Sequence, residues 1–389
     1  MRIVHVESAF EWRGSQSQVL LTAVGMARRG HAVGIACRSG SRLEARAKAA
    51  GLTVCPLPFG ADLAPRAVFG LAGLLRVENP DVVHAHDPHA TATALFAVRL
   101  VRGARLVASR RVHLPLRGWL SRRKYGACDR LVAGSSAVAR VLSEAGLPAS
   151  RIRLVYEGVP DRPPQPGGRT ALLALGIPEH APVIGNVAAL TPHKGHSTLL
   201  AAMPKVLATA PEARLVVVGE GKLRRQLEDE VRGRGLSGRC VFTGFRADLD
   251  RLIPAFAVLC LTSSTEALGS SLLDAMSFGR AIVATATGGI PEAVRHGETG
   301  ILVPVGDSDG LASALADLIS HPGRREAMGR AGRRRFERQF MADRMVEETL
   351  GVYEGLGIPS ERRRLAEAPG VAWQRASACC QGLVSPDGG

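Results

Sequence analysis

Two carboxylates eight residues apart, Glu266 and Asp274, flank a glycine- and serine-rich step in the chain. Ser270 or Ser271 is a good helix N-cap and Gly279 a good C-terminal stop, which predicts a short helix directly after a strand. Glu266 then lies in the loop before the helix and Asp274 in its first turn. A helix N-terminus attracts a diphosphate, and carboxylates accept hydrogen bonds from sugar hydroxyls, so the segment outlines a nucleotide-sugar site. The plainer alternative, an acid that favours the helix dipole and a second that is merely solvated, stays open at this point.

A second candidate group is a lysine in the loop after another predicted strand. Residues 183–195 are VIGNVAALTPHKG, which places Lys194 just beyond the end of that strand. A similar step, VVVGEG at residues 216–221, is followed by Lys222. A flexible ammonium can neutralise charge that develops on a departing diphosphate, whereas an ordinary surface lysine is the alternative at each position.

Together these segments resemble the Glu-x7-Glu signature of the retaining GT-B glycosyltransferases, specifically family 4. The stretch VATATGGIPE at residues 283–292 is similar to that family's next strand and glycine turn, and ordered matches extend over residues 1–356. The resemblance implies an α/β protein of the GT-B fold, with two Rossmann-like doubly wound lobes and an inter-lobe cleft.

The resemblance also implies roles for these residues. Glu266 would hold the donor sugar as a catalytic group, and Lys194, with Lys222 as a second cation, would stabilise the departing diphosphate. The donor would also be bound by backbone N–H groups at the start of the helix, which belong to Gly269, Ser270 and Ser271.

Two positions depart from the family pattern. The second acid, which the family uses on the ribose, is Asp274 rather than Glu and is one methylene shorter. Ala189 stands where many members have an arginine. Phosphate neutralisation is then expected from the lysines, from the helix N-terminus or from a basic group of the other lobe.

The N-terminal half offers a glycine loop and several histidines. Gly14, in FEWRGSQ at residues 10–16, resembles the family's glycine loop beside the donor phosphates, and the absence of Gly-x-Gly-x-x-Gly disfavours a dinucleotide cofactor. His84 and His86 share one face of a strand, for which a metal site, a sugar contact at His86 and a structural role are alternatives. His113 falls where the family often has an active-site polar residue and is assigned a catalytic sugar contact.

The net charge of +15 is concentrated in residues 1–160, which carry 23 Lys and Arg against 10 Asp and Glu. Its strongest run extends from Arg110 to Arg130 and includes Trp119 and Tyr125 between the cations. Cations that alternate with apolar anchors suit an anionic membrane face, with a solvated basic helix as the alternative. Aromatic residues are only 4% of the chain, so nucleic acid is not expected as a partner.

The elements that must position these groups alternate between short β-rich runs and helices, the pattern of parallel α/β sheets. The predicted strands cover residues 3–7, 32–37, 82–85, 105–109, 131–133, 183–187, 214–218, 241–244, 257–261, 281–285 and 301–303, and the first helix covers 18–29. A Pro- and Gly-rich stretch separates the halves.

The predicted domains follow from this division. Residues 1–160 form an acceptor-side Rossmann-like lobe, 161–168 a linker, 169–356 a nucleotide-sugar-binding lobe with the C-terminal helices, and 357–389 a disordered tail. A crossing of those helices back onto the first lobe is left open.

A cytoplasmic protein is favoured, with peripheral attachment to the inner face of the cell membrane. The seven cysteines have no paired spacing, no leader pattern is present, and no apolar run is longer than about ten residues.

The resemblance implies a retaining, metal-independent transferase that moves a sugar from a nucleotide-diphosphate sugar to a glycan or glycolipid hydroxyl, in lipopolysaccharide or other cell-envelope glycan synthesis. The donor is a substrate, and no cofactor is expected. A GT-B nucleotide-sugar epimerase and a non-enzymatic polyanion-binding protein are the alternatives.

Overall fold

The computed structural model describes residues 1–60 and 64–358. The described chain divides into two compact units, one formed by Met1–Glu157 with residues 342–358, the other by Gly158–Met341. Of the predicted tail, 357–389, residues 359–389 lie outside the described residues. None of the described helices is both long and apolar enough to cross a bilayer.

The first unit is built on a seven-stranded, all-parallel sheet with the order β3-β2-β1-β4-β5-β6-β7. Its strands are β1 (Arg2–Glu7), β2 (Ala32–Arg38), β3 (Thr53–Leu57), β4 (Val82–Ala85), β5 (Arg105–Arg110), β6 (Arg130–Ala133) and β7 (Ile152–Leu154). Its helices are α1 (Gly14–Arg28), α2 (Arg42–Ala49), α3 (Pro65–Glu78), α4 (Pro88–Val101), α5 (Trp119–Gly126) and α6 (Ser136–Glu144), joined later by α15 (Ala342–Glu354).

The second unit has a six-stranded, all-parallel sheet with the order β10-β9-β8-β11-β12-β13. Its strands are β8 (Val183–Val187), β9 (Arg214–Val218), β10 (Cys240–Gly244), β11 (Val258–Leu261), β12 (Ala281–Thr285) and β13 (Ile301–Val303). Its helices are α7 (Gly168–Ala174), α8 (His196–Thr209), α9 (Arg224–Gly233), α10 (Leu249–Leu252), α11 (Ser270–Ser277), α12 (Ile290–Ala293), α13 (Ser308–Ser320) and α14 (Pro322–Gln339).

Every strand predicted from the sequence is present, within one residue at either end. Central strands are buried on both faces, as in β1, where Ile3, Val4 and Val6 have no exposed surface. Helix α1 begins four residues earlier than expected, because the Gln16 side chain accepts a hydrogen bond from the Arg13 N–H (3.0 Å) and supports the first turn.

Two strands of the first sheet were not predicted, and both lie at its edges. β3 contains Pro56, which cannot donate to a ladder and which weakens the sequence signal for a strand. β7 has only three residues. Edge strands need fewer apolar residues because they are covered less, so local patterning indicates them poorly.

The assignment of all C-terminal helices to the second lobe is wrong for α15, which packs in the first unit. The added Cβ of a residue at Gly25 of α1 would lie 2.5 Å from Val346, which shows how closely the two helices approach. Tyr353 is fully buried, and its hydroxyl lies 2.6 Å from His84 Nδ1 on β4. Apolar contacts far apart in sequence therefore decide where this helix lies.

Candidate active site

The order of strands in the second sheet identifies where a ligand is expected. Chain order reverses between β8 and β11, and ligands of open parallel sheets bind beyond the carboxyl ends of the strands at such a point. Lys194 lies in a short 3₁₀ turn, Pro192–Lys194, that follows β8. Glu266 lies in the loop that follows β11. Two of the predicted catalytic residues thus belong to the two loops that border this point.

Lys194 and Glu266, 72 residues apart in the chain, form an ion pair between Lys194 Nζ and Glu266 Oε2. Their side chains are 18% and 16% exposed, so the pair is largely covered but open to a ligand. Ser263 Oγ donates a second hydrogen bond to the same carboxylate oxygen at 3.1 Å. The arrangement offers a cation and an acceptor of hydroxyl hydrogen bonds side by side.

The backbone around Lys194 is anchored to the loop after β11. Thr262 Oγ1 donates to the carbonyl oxygens of Lys194 (3.1 Å) and Gly195 (3.0 Å). Gly195 has φ +64°, and an added Cβ would lie 2.1 Å from the Thr262 carbonyl oxygen, so only glycine fits this close approach. The N–H of Ser264 donates to the carbonyl of His193 at 2.8 Å. The position of the ammonium is thereby tied to the position of Glu266.

Glu266 is held from its other side by the glycine turn after β12. Gly288 has φ +53°, and a Cβ there would lie 1.8 Å from the carbonyl oxygen of Glu266. The next residue, Gly289, donates its N–H to that same oxygen at 3.2 Å. The glycine pair that the sequence comparison with the family singled out at residues 288–289 thus positions the backbone of the candidate catalytic acid.

Helix α11 differs from its prediction at its first residues. The N-cap is Gly269, with φ +91°, rather than Ser270 or Ser271, and both serines lie within the first turn. No side chain caps this end, so the first N–H groups of the helix remain available to an anion beside the loop of Glu266. Gly279, with φ +62°, follows the helix end as predicted.

Asp274 lies in the second turn of α11, not in the first turn as predicted, because the helix begins at Ser270. The side chain is half-buried, and burial raises the pKa of its carboxyl to about 6, with the positive charge of Arg162 acting in the opposite direction. A carboxylate with this pKa is ionised only above weakly acidic pH. Its role on a ribose stays a prediction.

Lys222 follows β9 and is exposed, so its ammonium is available to a ligand. The loops after β8 and β9 are joined by a hydrogen bond from the Leu190 N–H to the Glu220 carbonyl (2.8 Å). A Cβ at Gly221 would lie 2.3 Å from the Leu190 carbonyl, so the two loops are in direct contact. Ala189 belongs to the same connection and contributes no charge there.

In the first unit, the reversal of chain order falls between β1 and β4. Glu7 ends β1, and its fully buried Oε1 accepts hydrogen bonds from Gln16 Nε2 (3.1 Å) and the Ala9 N–H (3.2 Å). Asp87 follows β4 and accepts from the Ser8 N–H and Oγ, both at 2.7 Å. Burial, followed by the nearby charge of Asp87, raises the pKa of Glu7 to about 8.

Sequence reasoning did not select this carboxyl pair. The available signal was an acid at the end of each of two apolar runs that are central strands of one sheet. Gly14, the predicted donor-binding residue of this unit, is exposed and begins α1 in the connection after β1. The glycine loop and the carboxyl pair are therefore both at the carboxyl end of β1.

The histidines of this unit form a buried cluster that includes His5 of β1, which sequence reasoning also missed. Arg111 donates to His86 Nδ1 (3.0 Å), so His86 Nε2 carries the proton and donates to His5 Nδ1 (2.8 Å). His5 Nε2 then carries a proton that finds no acceptor among the described residues. Burial lowers the pKa of His5 to about 3 and that of His86 well below its usual value, so the rings are neutral.

The same three rings, those of His5, His84 and His86, bring ligand nitrogens within 4.8 Å of one another. His84 already lies 2.6 Å from Tyr353 Oη and 2.8 Å from Ser109 Oγ. The Arg111 guanidinium on His86 Nδ1 also places a positive charge beside the cluster, which disfavours a cation there. The geometry favours a hydrogen-bonded histidine network over a metal site, and the expected absence of a metal from the reaction stays a prediction.

His113 lies in the connection between β5 and α5, outside this cluster, and is half-buried. Its contact with a sugar stays a prediction. The neighbouring residue Arg111 is largely buried against Glu157, with 3.6 Å between Nε and Oε1.

The basic run from Arg110 to Arg130 is not one continuous surface. Arg110 and Tyr125 are buried, at 7% and 2% exposure, so they cannot contact a membrane as the sequence suggested. Apart from Val112 and Leu114, its exposed cations and apolar anchors lie at the start of α5 and directly before it. They are Arg117, Trp119, Leu120, Arg122 and Arg123, and they are called the α5 surface below.

Comparisons with known proteins agree with this architecture. The family model described as Glycosyltransferase Family 4 matches residues 12–162, and the model of Glycosyl transferases group 1 matches residues 173–335. The solved structure of Anabaena Alr3699/HepE in complex with UDP and glucose has a TM-score of 0.81 at 21% identity and covers 91% of this chain and 100% of that one. This likeness confirms the predicted GT-B fold.

Curated relatives match at higher identity. Sulfoquinovosyl transferase SQD2 of Arabidopsis thaliana is 28% identical over 312 residues, which cover 73% of this chain and 58% of that protein. The GDP-mannose-dependent alpha-(1-6)-phosphatidylinositol monomannoside mannosyltransferase of Mycobacterium tuberculosis is 30% identical over 274 residues, 66% of this chain and 71% of that protein. With both halves matched by family models and this relative covered over more than two thirds of its length, the chain belongs to glycosyltransferase family 4, among the glycosyl transferases of group 1.

Proposed function

We propose that this glycosyltransferase is retaining and metal-independent, and that it moves a sugar from a nucleotide-diphosphate sugar to a hydroxyl of a cell-envelope glycan or glycolipid, lipopolysaccharide included. The observation that carries the proposal is the Lys194–Glu266 pair at the strand-order reversal of the second sheet, beside the uncapped start of α11. A relative with a phosphatidylinositol mannoside in its name supports a lipid-linked acceptor.

Lys194 and Glu266 can bind two parts of one donor, the diphosphate and the sugar. When the diphosphate binds, its oxygens compete for the Lys194 ammonium, and the sugar hydroxyls replace Lys194 as hydrogen-bond partners of Glu266. As the bond between the sugar and the diphosphate breaks, negative charge grows on the leaving group. Lys194 and the first N–H groups of α11 stabilise that charge, and a donor of this type is worth about 10²–10³ in rate.

The positive groups here supply the charge that a divalent ion provides in other transferases. Lys194, Lys222 and the N-terminus of α11 belong to three different loops of the second unit. Each can contact a different oxygen of the diphosphate. Turnover is therefore expected to continue in the presence of a chelator.

The α5 surface supports attachment to an anionic membrane, where a lipid-linked acceptor is located. Trp119 and Leu120 are 64% and 66% exposed, and the Arg123 guanidinium lies 5.6 Å from the centre of the Trp119 ring. Exposed apolar groups of this size beside exposed arginines suit the boundary between headgroups and acyl chains. The triple variant Trp119→Ala/Arg122→Ala/Arg123→Ala, the α5 variant below, tests this surface.

The proposal is tested by nucleotide release from UDP-, GDP- and ADP-sugars with lipid and glycan acceptors, with and without EDTA. Glu266→Gln and Lys194→Met should each reduce release by about 10²-fold or more. Glu298→Gln is the matched control, because Glu298 is a half-exposed acid paired with Arg295 on the surface of the same unit. We expect release from one donor, dependent on acceptor and insensitive to EDTA, and a product whose anomeric proton signal matches that of the donor.

Two outcomes would contradict the proposal. Loss of turnover in EDTA that added metal restores would refute the metal-independent mechanism. Nucleotide release that needs no acceptor and is unchanged in both variants would remove the pair from the reaction and return the epimerase to consideration.

A further inference from the structure

Two adjoining cavities in the second unit have arginine as their most frequent lining residue, and neither includes Lys194 or Glu266. Their volumes are about 560 and 770 Å³, and they share Gly279, Arg280 and Arg330. The first is bordered by Val183 and Ala257, at the amino ends of β8 and β11. The two cavities together are called the arginine groove below.

The groove and the candidate active site lie at opposite ends of the parallel strands. Lys194 and Glu266 follow the carboxyl ends of β8 and β11, whereas the groove borders the amino ends of the same strands. A strand of five residues such as β8 is about 16 Å long. One ligand of the size of a nucleotide sugar in the candidate site would not reach the groove through the sheet.

The groove carries an excess of positive charge. Its arginines are Arg162, Arg169, Arg280, Arg325, Arg330, Arg333 and Arg334. Its carboxylates are Asp161, Glu326 and Glu337. Seven guanidinium groups against three carboxylates leave four positive charges that the lining itself does not balance.

Most of that carboxylate charge is already used by one arginine. Arg333 binds Asp161 through both terminal nitrogens, at 2.7 and 2.8 Å, and Glu337 through Nε at 2.7 Å. The remaining acid, Glu326, lies 3.7 Å from Arg330, and both side chains of that pair are 65% exposed. An exposed pair at this distance contributes little and leaves Arg330 free to bind another anion.

Arg280 is the central residue, because it lines both cavities. It comes directly before β12, and its Nε donates to the Phe278 carbonyl at 3.1 Å. Among residues 1–60 and 64–358, neither of its terminal nitrogens has a hydrogen-bond acceptor or a carboxylate within ion-pair distance. Burial, followed by the positive charge of Arg325, lowers the pKa of Arg280, and the negative charge of Glu326 opposes this shift.

We propose that the arginine groove is a second binding site of this protein, for a soluble ligand that carries phosphate groups. Planar guanidinium groups bind phosphate oxygens in pairs, and several of them converge here from α14, the linker and the start of β12. Cavities of about 560 and 770 Å³ have room for a diphosphate or a larger phosphate-bearing molecule. This inference is independent of the donor and acceptor of the transfer reaction.

Isothermal titration of the full chain with inorganic pyrophosphate tests the groove. All titrations use a Lys194→Met background, which removes the main diphosphate partner of the candidate active site. Arg280→Gln/Arg330→Gln should weaken pyrophosphate binding at least 10-fold, and Arg330→Gln alone, a change at an exposed side chain, should weaken it about threefold or more. The matched control is Arg324→Gln/Arg234→Gln, which removes two charges of the same unit that lie outside the groove and pair with Asp317 and Glu230.

Binding that survives Lys194→Met and the control, and is lost in the groove variants, would establish the site. Equal weakening in the control would mean that pyrophosphate senses only the overall charge and would overturn the proposal. Absence of binding in the Lys194→Met chain would overturn it as well. If circular dichroism shows that the double variant is unfolded, Arg330→Gln alone still tests the groove.

Discussion

Gly288→Ala is the most direct test of how the fold positions Glu266. An alanine at φ +53° costs about 1 kcal/mol in backbone strain. Its Cβ would lie 1.8 Å from the Glu266 carbonyl oxygen, so that backbone must shift by more than 1 Å. The shift would also lengthen the hydrogen bond from the Gly289 N–H, worth about 1 kcal/mol.

The expected cost is therefore about 2–4 kcal/mol in stability, which corresponds to a fall in Tm of roughly 4–16 °C for a unit of this size. The effect on turnover should be larger than stability explains, because displacing a catalytic group by about 1 Å can cost about 10²-fold in rate. Activity per folded molecule is measured as nucleotide release well below Tm, with folding checked by circular dichroism.

Gly297→Ala is the matched control. Gly297 has φ +79°, but nothing lies within 4 Å of the position of an added Cβ, so the substitution carries the strain without the collision. We expect a small fall in Tm and unchanged turnover. If Gly288→Ala retained activity within threefold of Gly297→Ala, the close approach would not be what positions Glu266, and the reasoning would be refuted.

Three further predictions concern titration and membrane contact. The pKa of Glu7 is raised to about 8 in the folded chain from an ordinary 4.5. Between these pH values the folded state holds a proton that the unfolded chain releases, so the free energy of unfolding falls as pH rises, by at most about 1.4 kcal/mol per pH unit. Glu7→Gln should remove this slope in urea unfolding from pH 5 to 8; equal slopes would contradict the assignment. Asp274, with a pKa of about 6, should make the KM for the donor rise as pH falls through 6, and Asp274→Asn should show the raised KM at every pH. The α5 variant should lower partitioning onto anionic vesicles about 30-fold or more, since its two arginines contribute about 1 kcal/mol each near the surface and Trp119 adds an apolar contact. The double variant Arg140→Ala/Arg153→Ala, at two exposed arginines, is the control, and an equal loss in it would refute the role of the α5 surface.

The elements of this protein follow closely from local sequence. Apolar runs of four to seven residues predict the central strands because those strands are buried on both faces, and Gly30 and Gly279 end helices because only glycine adopts their positive φ without strain. The start of α11 was misplaced by one or two residues because a serine and a glycine are both acceptable N-caps. That small error moved Asp274 from the second turn to the first.

Motifs along the chain selected Lys194 and Glu266 separately, but the residues around them were beyond local patterning. His5 joins His84 and His86 only because β1 and β4 pair in register, with His5 opposite His84. Gly288 restrains Glu266 only because the connections after β11 and β12 lie side by side. Such neighbours depend on strand order, which crossover connections determine and a single strand does not reveal.

Charge shows the same division between sequence and tertiary structure. The sequence by itself determined the net charge, its concentration in residues 1–160, and the kinds of element that the chain forms. Only the tertiary structure decided that Arg110 is buried, that α15 belongs to the first unit, and that arginines from a nearly neutral half gather in one groove. The physical reason is that local propensity acts over a few residues, whereas burial and charge density depend on which distant segments pack together.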